Sequence, residues 1–168
     1  MPYSGEQLSD MESIRNVARR YCHYLDRLDA EGMRGVYWPD AVDDHGLEYR
    51  GNAWGYVDVA MESHKRWNPS LHTLLNHLVE LDPGDTSARS EIYVIAYLFE
   101  AARPVLHTWF GRYLDRYEKR GEEWRIAERV CVHEGSRTDD PLVRIPFPQD
   151  SFRQGSFDRP SVARPIGP

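Results

Sequence analysis

After Pro69 the chain becomes four long strand-like runs, 71–81, 88–101, 105–118 and 124–134, and this succession constrains its fold more than any other feature. The breaks between them fall at Pro83-Gly84-Asp85, at Arg103-Pro104 and near Gly121. These are turn residues at hairpin-like intervals, so the runs predict an antiparallel meander. Before Pro69 the period is different. Over 10–28 the apolar residues Ile14, Val17, Ala18, Tyr21, Cys22, Leu25 and Leu28 recur at helical spacing, which predicts an amphipathic helix with one buried stripe. Ser9 or Asp10 can cap its start, and Asp29 can cap a short second helix over 30–37 that stops before Pro39. A short strand over 41–49 and a third helix over 52–66 complete this half. Helices first and a meander afterwards predict an α+β domain, and a sheet that curls against an N-terminal helix can leave a pocket between them.

The 168 residues carry a formal net charge of −6, with a pI near 5.6. Residues 1–136 read as one domain with room for a core and a cavity. Residues 137–168, with Pro141, Pro146, Pro148, Gly155, Pro160 and Pro165, read as an irregular C-terminal arm that is partly ordered or packs on a neighbouring subunit. An acidic balance argues against nucleic acid or an anionic membrane as the partner, since both reward clustered positive charge. No apolar stretch reaches the roughly 20 residues a membrane helix needs. The start of the chain has no basic region followed by an apolar run. The expectation is a cytoplasmic protein in which Cys22 and Cys131, outside any Cys-x-x-Cys pair, are reduced thiols.

Asp26 and His72 are the residues that point to chemistry. If the fold brings them together, they make a base and its orienting carboxylate, the kit for proton abstraction without a cofactor. Asp26 flanks the buried stripe of the first helix. Asp29 lies nearer the centre of that stripe, but its place before Ala30-Glu31 assigns it to capping. The competing role for Asp26 is a surface pair with Arg27 or Arg34. Alternation puts His72, Leu74 and Asn76 on one face of their strand, a polar spot for a cavity wall. Otherwise His72 is a satisfied core histidine, or it faces solvent and His77 lies inside. In the last run Arg125, Ala127, Arg129, Cys131 and His133 share one face, and either face could be the inner one. If this face is inward, Arg129 and His133 can bind a developing oxyanion. Arg112 and Tyr113 point to opposite sides, with no sequence basis for choosing between them.

Other chemistries lack support. The remaining histidines form no close pair and no His-Glu-x-x-His stretch exists, so no metal site is expected. Asp43-Asp44-His45 alternates faces and reads as a solvated strand edge. No glycine-rich phosphate loop follows a strand, and neither Cys22 nor Ser90 sits in a nucleophile elbow.

Tyr21-x-x-x-x-Asp26-x-x-Asp29, Trp38-Pro39-Asp40-Ala41, His72 with Asn76, and Gly111-Arg112-Tyr113 running to Glu123-Trp124-Arg125-Ile126 together resemble the SnoaL-like branch of the NTF2-like superfamily over residues 8–136. The resemblance implies a cone-shaped α+β fold, a curved sheet around a deep apolar pocket with helices across its mouth. The chain is similar to the scytalone dehydratase, hexachlorocyclohexane dehydrochlorinase and bile-acid 7α-dehydratase groups, which use a histidine base oriented by a helix aspartate. Carried over, these roles fall on His72 and Asp26. Tyr21 falls where those groups have a tyrosine or lysine, and His133 stands where the bile-acid group has a pocket arginine. The implied activity is a cofactor-independent lyase or isomerase acting on a small hydrophobic, cyclic or aromatic compound, with Tyr21, Asn76 or Arg129 as acid or oxyanion partner. The implied assembly is a homodimer or homotrimer. The alternative is a non-catalytic ligand-binding protein, or a small structural subunit of a ring-hydroxylating dioxygenase.

Overall fold

Ser4 opens the first helix: its hydroxyl accepts the Gln7 amide and the Gln7 side chain accepts the Ser4 amide, a reciprocal cap that starts α1 (Gly5–Leu25) well before position 10. This computed structural model describes residues 3–143. Asp10, expected at the cap, is instead buried in the helix, where it accepts hydrogen bonds from Trp124 Nε1 at 2.8 Å and Lys119 Nζ at 3.0 Å. The helix buries Met11, Ile14, Ala18, Tyr21, Cys22 and Leu25, the stripe that the spacing predicts.

Asp26 is the C-cap of α1, and Leu28, at a φ of 55°, turns the chain out of it. Asp29 then caps α2 (Ala30–Gly35) by accepting the Gly32 amide at 2.8 Å. The second helix stops short of 37 because Tyr37 already belongs to β1 (Tyr37–Asp44). This strand begins earlier than position 41 and includes Pro39. Its pairing is irregular between Tyr37 and Val42, where proline offers no N–H to the ladder. After β2 (Arg50–Asn52), Asn52 caps α3 (Ala53–His64) through the Trp54 amide.

The meander follows as β3 (Trp67–Leu81), β4 (Ser87–Glu100), β5 (Leu106–Arg120) and β6 (Glu123–Asp139). The sheet order is β2-β1-β6-β5-β4-β3. Among the described strands only β1 and β6 run parallel, and every other pair is antiparallel. β6 continues to Asp139, paired with Leu106, so regular structure runs past both 134 and the boundary drawn at 136. The rest of the arm, from 144 onward, lies outside the described residues.

With the helices laid across one side of this curved, unclosed sheet, the architecture is the α+β cone expected. Ile14, Tyr21, Leu25, Tyr37, Tyr117, Ile92 and Ile126 are fully or almost fully buried between helices and sheet. On the outer face Leu71, Leu75, Leu78 and Tyr93 are exposed. Among the described residues no helix is long and apolar enough to cross a membrane.

Candidate active site

α1 ends against β3, and that junction brings Asp26 to His72. Asp26 Oδ1 lies 2.6 Å from His72 Nδ1, while Oδ2 accepts the His72 backbone N–H at 2.8 Å. Ser70, on the same face of β3 two residues earlier, donates its hydroxyl to Oδ1 at 2.7 Å. The carboxylate thus takes three hydrogen bonds and has one orientation available. Donation from Nδ1 to the carboxylate requires a proton there, so the lone pair of the neutral imidazole is on Nε2. Both side chains are nearly enclosed, at 7% exposed for His72 and 11% for Asp26.

His72 forms part of the wall of a cavity of about 450 Å³, an ordinary size for a small-molecule site. Leu25, Trp67, Ala96, Leu98 and Trp109 give it apolar and aromatic surface. Gly111 is required for this wall: a Cβ there would lie 2.0 Å from the Trp109 ring and 2.3 Å from the Val132 carbonyl. Polar groups come from His45, Glu48, His64, Arg66, His72 and His133. His64 sits 5.7 Å from His72 between ring centres, with its Nδ1 3.0 Å from the Ala60 carbonyl. Burial, reinforced by His72, lowers the His64 pKa to about 4, so it is uncharged at neutral pH and does not oppose positive charge forming on His72. Cys131 also faces the cavity; burial pushes its thiol up to about 12, which keeps it a thiol rather than a thiolate nucleophile. Among the described residues no three His, Cys, Asp or Glu side chains are grouped to hold a metal ion.

The other expected substrate-binding residues divide. His133 lies on the cavity wall, its ring centre 6.0 Å from that of Trp109. Asn76 is exposed and away from the cavity, because the pairing of β3 with β4 shifts between Leu74 and His77 and reverses the alternation there. Tyr21 is fully buried behind the cavity, donating a long 3.4 Å hydrogen bond to Tyr56, which lines it. Arg129 is inward but also lies behind the cavity wall. Its guanidinium makes two 2.7 Å hydrogen bonds to Asp115 and is sandwiched between the Tyr21 and Tyr113 rings, each 4.0 Å away. It is a core ion pair and does not line the cavity. Tyr113 faces inward to the cavity, and Arg112 faces outward to Glu91 and Glu134.

The reading of Asp43-Asp44-His45 as a solvated edge is wrong. β1 is paired on both sides, Asp43 is fully buried, and His45 lines the cavity with its Nδ1 on Asp43 Oδ1. The signal was available, because Asp43 and His45 are two apart and share a face. Ser70 and His72 carry the same i, i+2 signal, also unread. His64 had none, since nothing local marks one histidine of a helix end as facing a cavity.

A family profile described as a SnoaL-like domain matches residues 6–130. Comparison with curated protein sequences gives no match. Among solved structures, a proposed scytalone dehydratase from Novosphingobium aromaticivorans DSM 12444 is 18% identical with a TM-score of 0.70, covering 84% of this chain and 94% of that one. The hexachlorocyclohexane dehydrochlorinase LinA-type3 from Novosphingobium barchaimii LL02 is 16% identical, TM-score 0.70, covering 83% and 96%. Rv3472 from Mycobacterium tuberculosis, a protein of unknown function, is 25% identical, TM-score 0.64, covering 83% and 80%.

Proposed function

This chain belongs to the SnoaL-like family, and on that premise we propose that it is a cofactor-independent lyase or isomerase that uses His72 as general base and Asp26 as its orienting carboxylate. The observation that carries this reading is the 2.6 Å contact between Asp26 Oδ1 and His72 Nδ1 on the wall of a 450 Å³ cavity. Hydrogen-bond contact between base and orienting group is the geometry that proton abstraction needs, and a merely structural pair needs no cavity beside it.

In the proposed reaction, Asp26 holds the Nδ1 proton and keeps the Nε2 lone pair directed at the substrate. His72 Nε2 removes a carbon-bound proton, and Asp26 stabilises the imidazolium that forms. Neutral His64 beside it adds no opposing charge. The electron pair left behind expels a leaving group or moves to a new position, giving elimination or isomerisation. Trp67, Trp109, Leu25 and Leu98 suit a small hydrophobic, cyclic or aromatic substrate. A homo-oligomer remains part of the proposal, supported by Leu71, Leu75, Leu78 and Tyr93 on the outer face of the sheet.

The experiment is a panel of cyclic and aromatic ketones, alcohols and halides incubated with the protein in D2O and followed by NMR for deuterium exchange and elimination. Asp26→Asn and His72→Ala are expected to lose about 100-fold or more of either signal, the usual range for a positioned base, with circular dichroism unchanged. Near-normal turnover in either variant would sink the dyad. Ligand binding with no exchange in the wild type would establish the non-catalytic alternative.

A further inference from the structure

We propose that His45 is a second acid–base group of the same cavity, held by Asp43 and Tyr37 to protonate an oxygen leaving group while His72 removes the carbon-bound proton. This rests on His72 being the base. It makes the substrate a hydroxylated cyclic compound that loses water.

Asp43 is fully buried, and a buried carboxylate needs hydrogen-bonding partners. Tyr37 donates its hydroxyl to Oδ2 at 2.7 Å, and His45 Nδ1 contacts Oδ1. Burial holds the Tyr37 phenol well above its ordinary pKa, so it keeps the proton it donates. With Nδ1 committed to Asp43, the other nitrogen of His45 is left for the cavity. Tyr56 fixes the plane of the imidazole by stacking on it at 3.9 Å with only 14° between the rings.

The construction repeats that of Asp26 and His72. In each, a hydroxyl (Ser70 or Tyr37) steadies a carboxylate, the carboxylate holds Nδ1, and Nε2 is left to the one cavity. The two histidines come from strands far apart in the sheet. His45 follows β1, His72 is on β3, and β6, β5 and β4 lie between. That is four strand spacings, roughly 19 Å along a flat sheet. Curling the sheet puts both on the wall of one cavity, with a substrate ring between them.

In the step, the C–H electron pair becomes the new C=C bond and its proton goes to His72 Nε2. The C–O bond breaks with its electron pair on oxygen, which takes a proton from His45 Nε2 and leaves as water. The step takes a proton from His45 and gives one to His72, and Asp43, buried against His45 Nδ1, is placed to accompany that transfer. Solvent then removes the proton from His72 and returns one to His45, so the balance is substrate to alkene plus water. Chloride leaves without a proton, so this acid matters to an oxygen leaving group and not to a halide.

The test uses the full-length protein with the 3-hydroxy and 3-chloro derivatives of cyclohexanone and 1-tetralone, and follows deuterium exchange beside the carbonyl as a third signal. In His45→Gln the ratio of water loss to chloride loss is expected to fall about 100-fold, the scale of a positioned acid. Imidazole added to His45→Ala should restore part of the water elimination. His72→Gln should lose water elimination, chloride elimination and exchange together. Equal losses of water and chloride elimination in His45→Gln, or undiminished water elimination, would overturn the role of His45 while leaving that of His72 intact. A wild type that neither exchanges nor eliminates with any probe overturns both. If the His45 variants do not fold, Tyr37→Phe keeps the imidazole and removes the donor to Asp43; the same ratio should then fall about 10-fold, and an unchanged ratio counts against the proposal.

Discussion

Asp26 and His72, 46 residues apart in the chain, meet at 2.6 Å because α1 ends where β3 begins its inward-facing alternation. The contact does not stand alone. Ser70 and the His72 amide donate two further hydrogen bonds to the carboxylate, so its orientation is set before any ligand arrives.

Ser70→Ala removes one of those donors and leaves His72 untouched. The lost hydrogen bond is worth about 1 kcal/mol, or roughly five-fold in rate. The expected outcome is a five-fold lower kcat in the exchange assay with KM nearly unchanged, since the serine acts through Asp26 rather than on the ligand. A change confined to KM would contradict this.

The core ion pair is a stability prediction. Arg129 and Asp115 are both at 0% side-chain exposure, and removing one partner leaves an uncompensated buried charge. Asp115→Ala should destabilise the protein by about 3–5 kcal/mol in urea titration. Arg129→Met with Asp115→Leu should recover most of that loss.

Gly111→Ala tests the cavity wall. A methyl group 2.0 Å from the Trp109 ring and 2.3 Å from a backbone carbonyl cannot be absorbed by a rotamer change alone. We expect the tryptophan to be displaced, with a loss of about 1–3 kcal/mol in stability, weaker ligand binding and a shifted Trp fluorescence maximum. An unchanged emission spectrum would show that the wall had accommodated the methyl group.

Acid sensitivity follows from His64. Its pKa drops from 6.5 in the unfolded reference to about 4 in the folded protein, because burial disfavours the cation. Well above pH 6.5 neither state is protonated, and burial of His64 carries no protonation penalty. As the pH falls through the window from 6.5 to 4, the unfolded chain binds a proton that the folded one refuses, and stability is lost. At pH 5 this amounts to at most about 2 kcal/mol. Urea midpoints for His64→Gln should therefore fall less than those of the wild type between pH 7.5 and 5. His77, also lowered to about 4 by burial, adds to the loss in the same direction.

Much of the framework was legible locally. Apolar residues at helical spacing located α1, turn residues separated the strands of the meander, and Asp29 was distinguishable as a cap because it precedes a helix start. Asp26 and His72 were nameable as candidates from the helix stripe and the strand alternation, but only the resemblance singled them out from their structural alternatives.

What the sequence determined by itself was this succession of elements, since period and turn chemistry are properties of neighbouring residues. The tertiary structure decided which side chains reach the cavity. One extra residue in a strand reverses every facing beyond it, so the register shift near Asn76 removed that residue from the site and turned His77 inward. Arg129 found its carboxylate on a neighbouring strand and became core. Asp43 and His45, adjacent to residues that do face solvent, were drawn inside because β1 is paired on both sides and the sheet curls over them. Burial and partnership depend on which strands become neighbours, and that is settled only when the sheet has assembled.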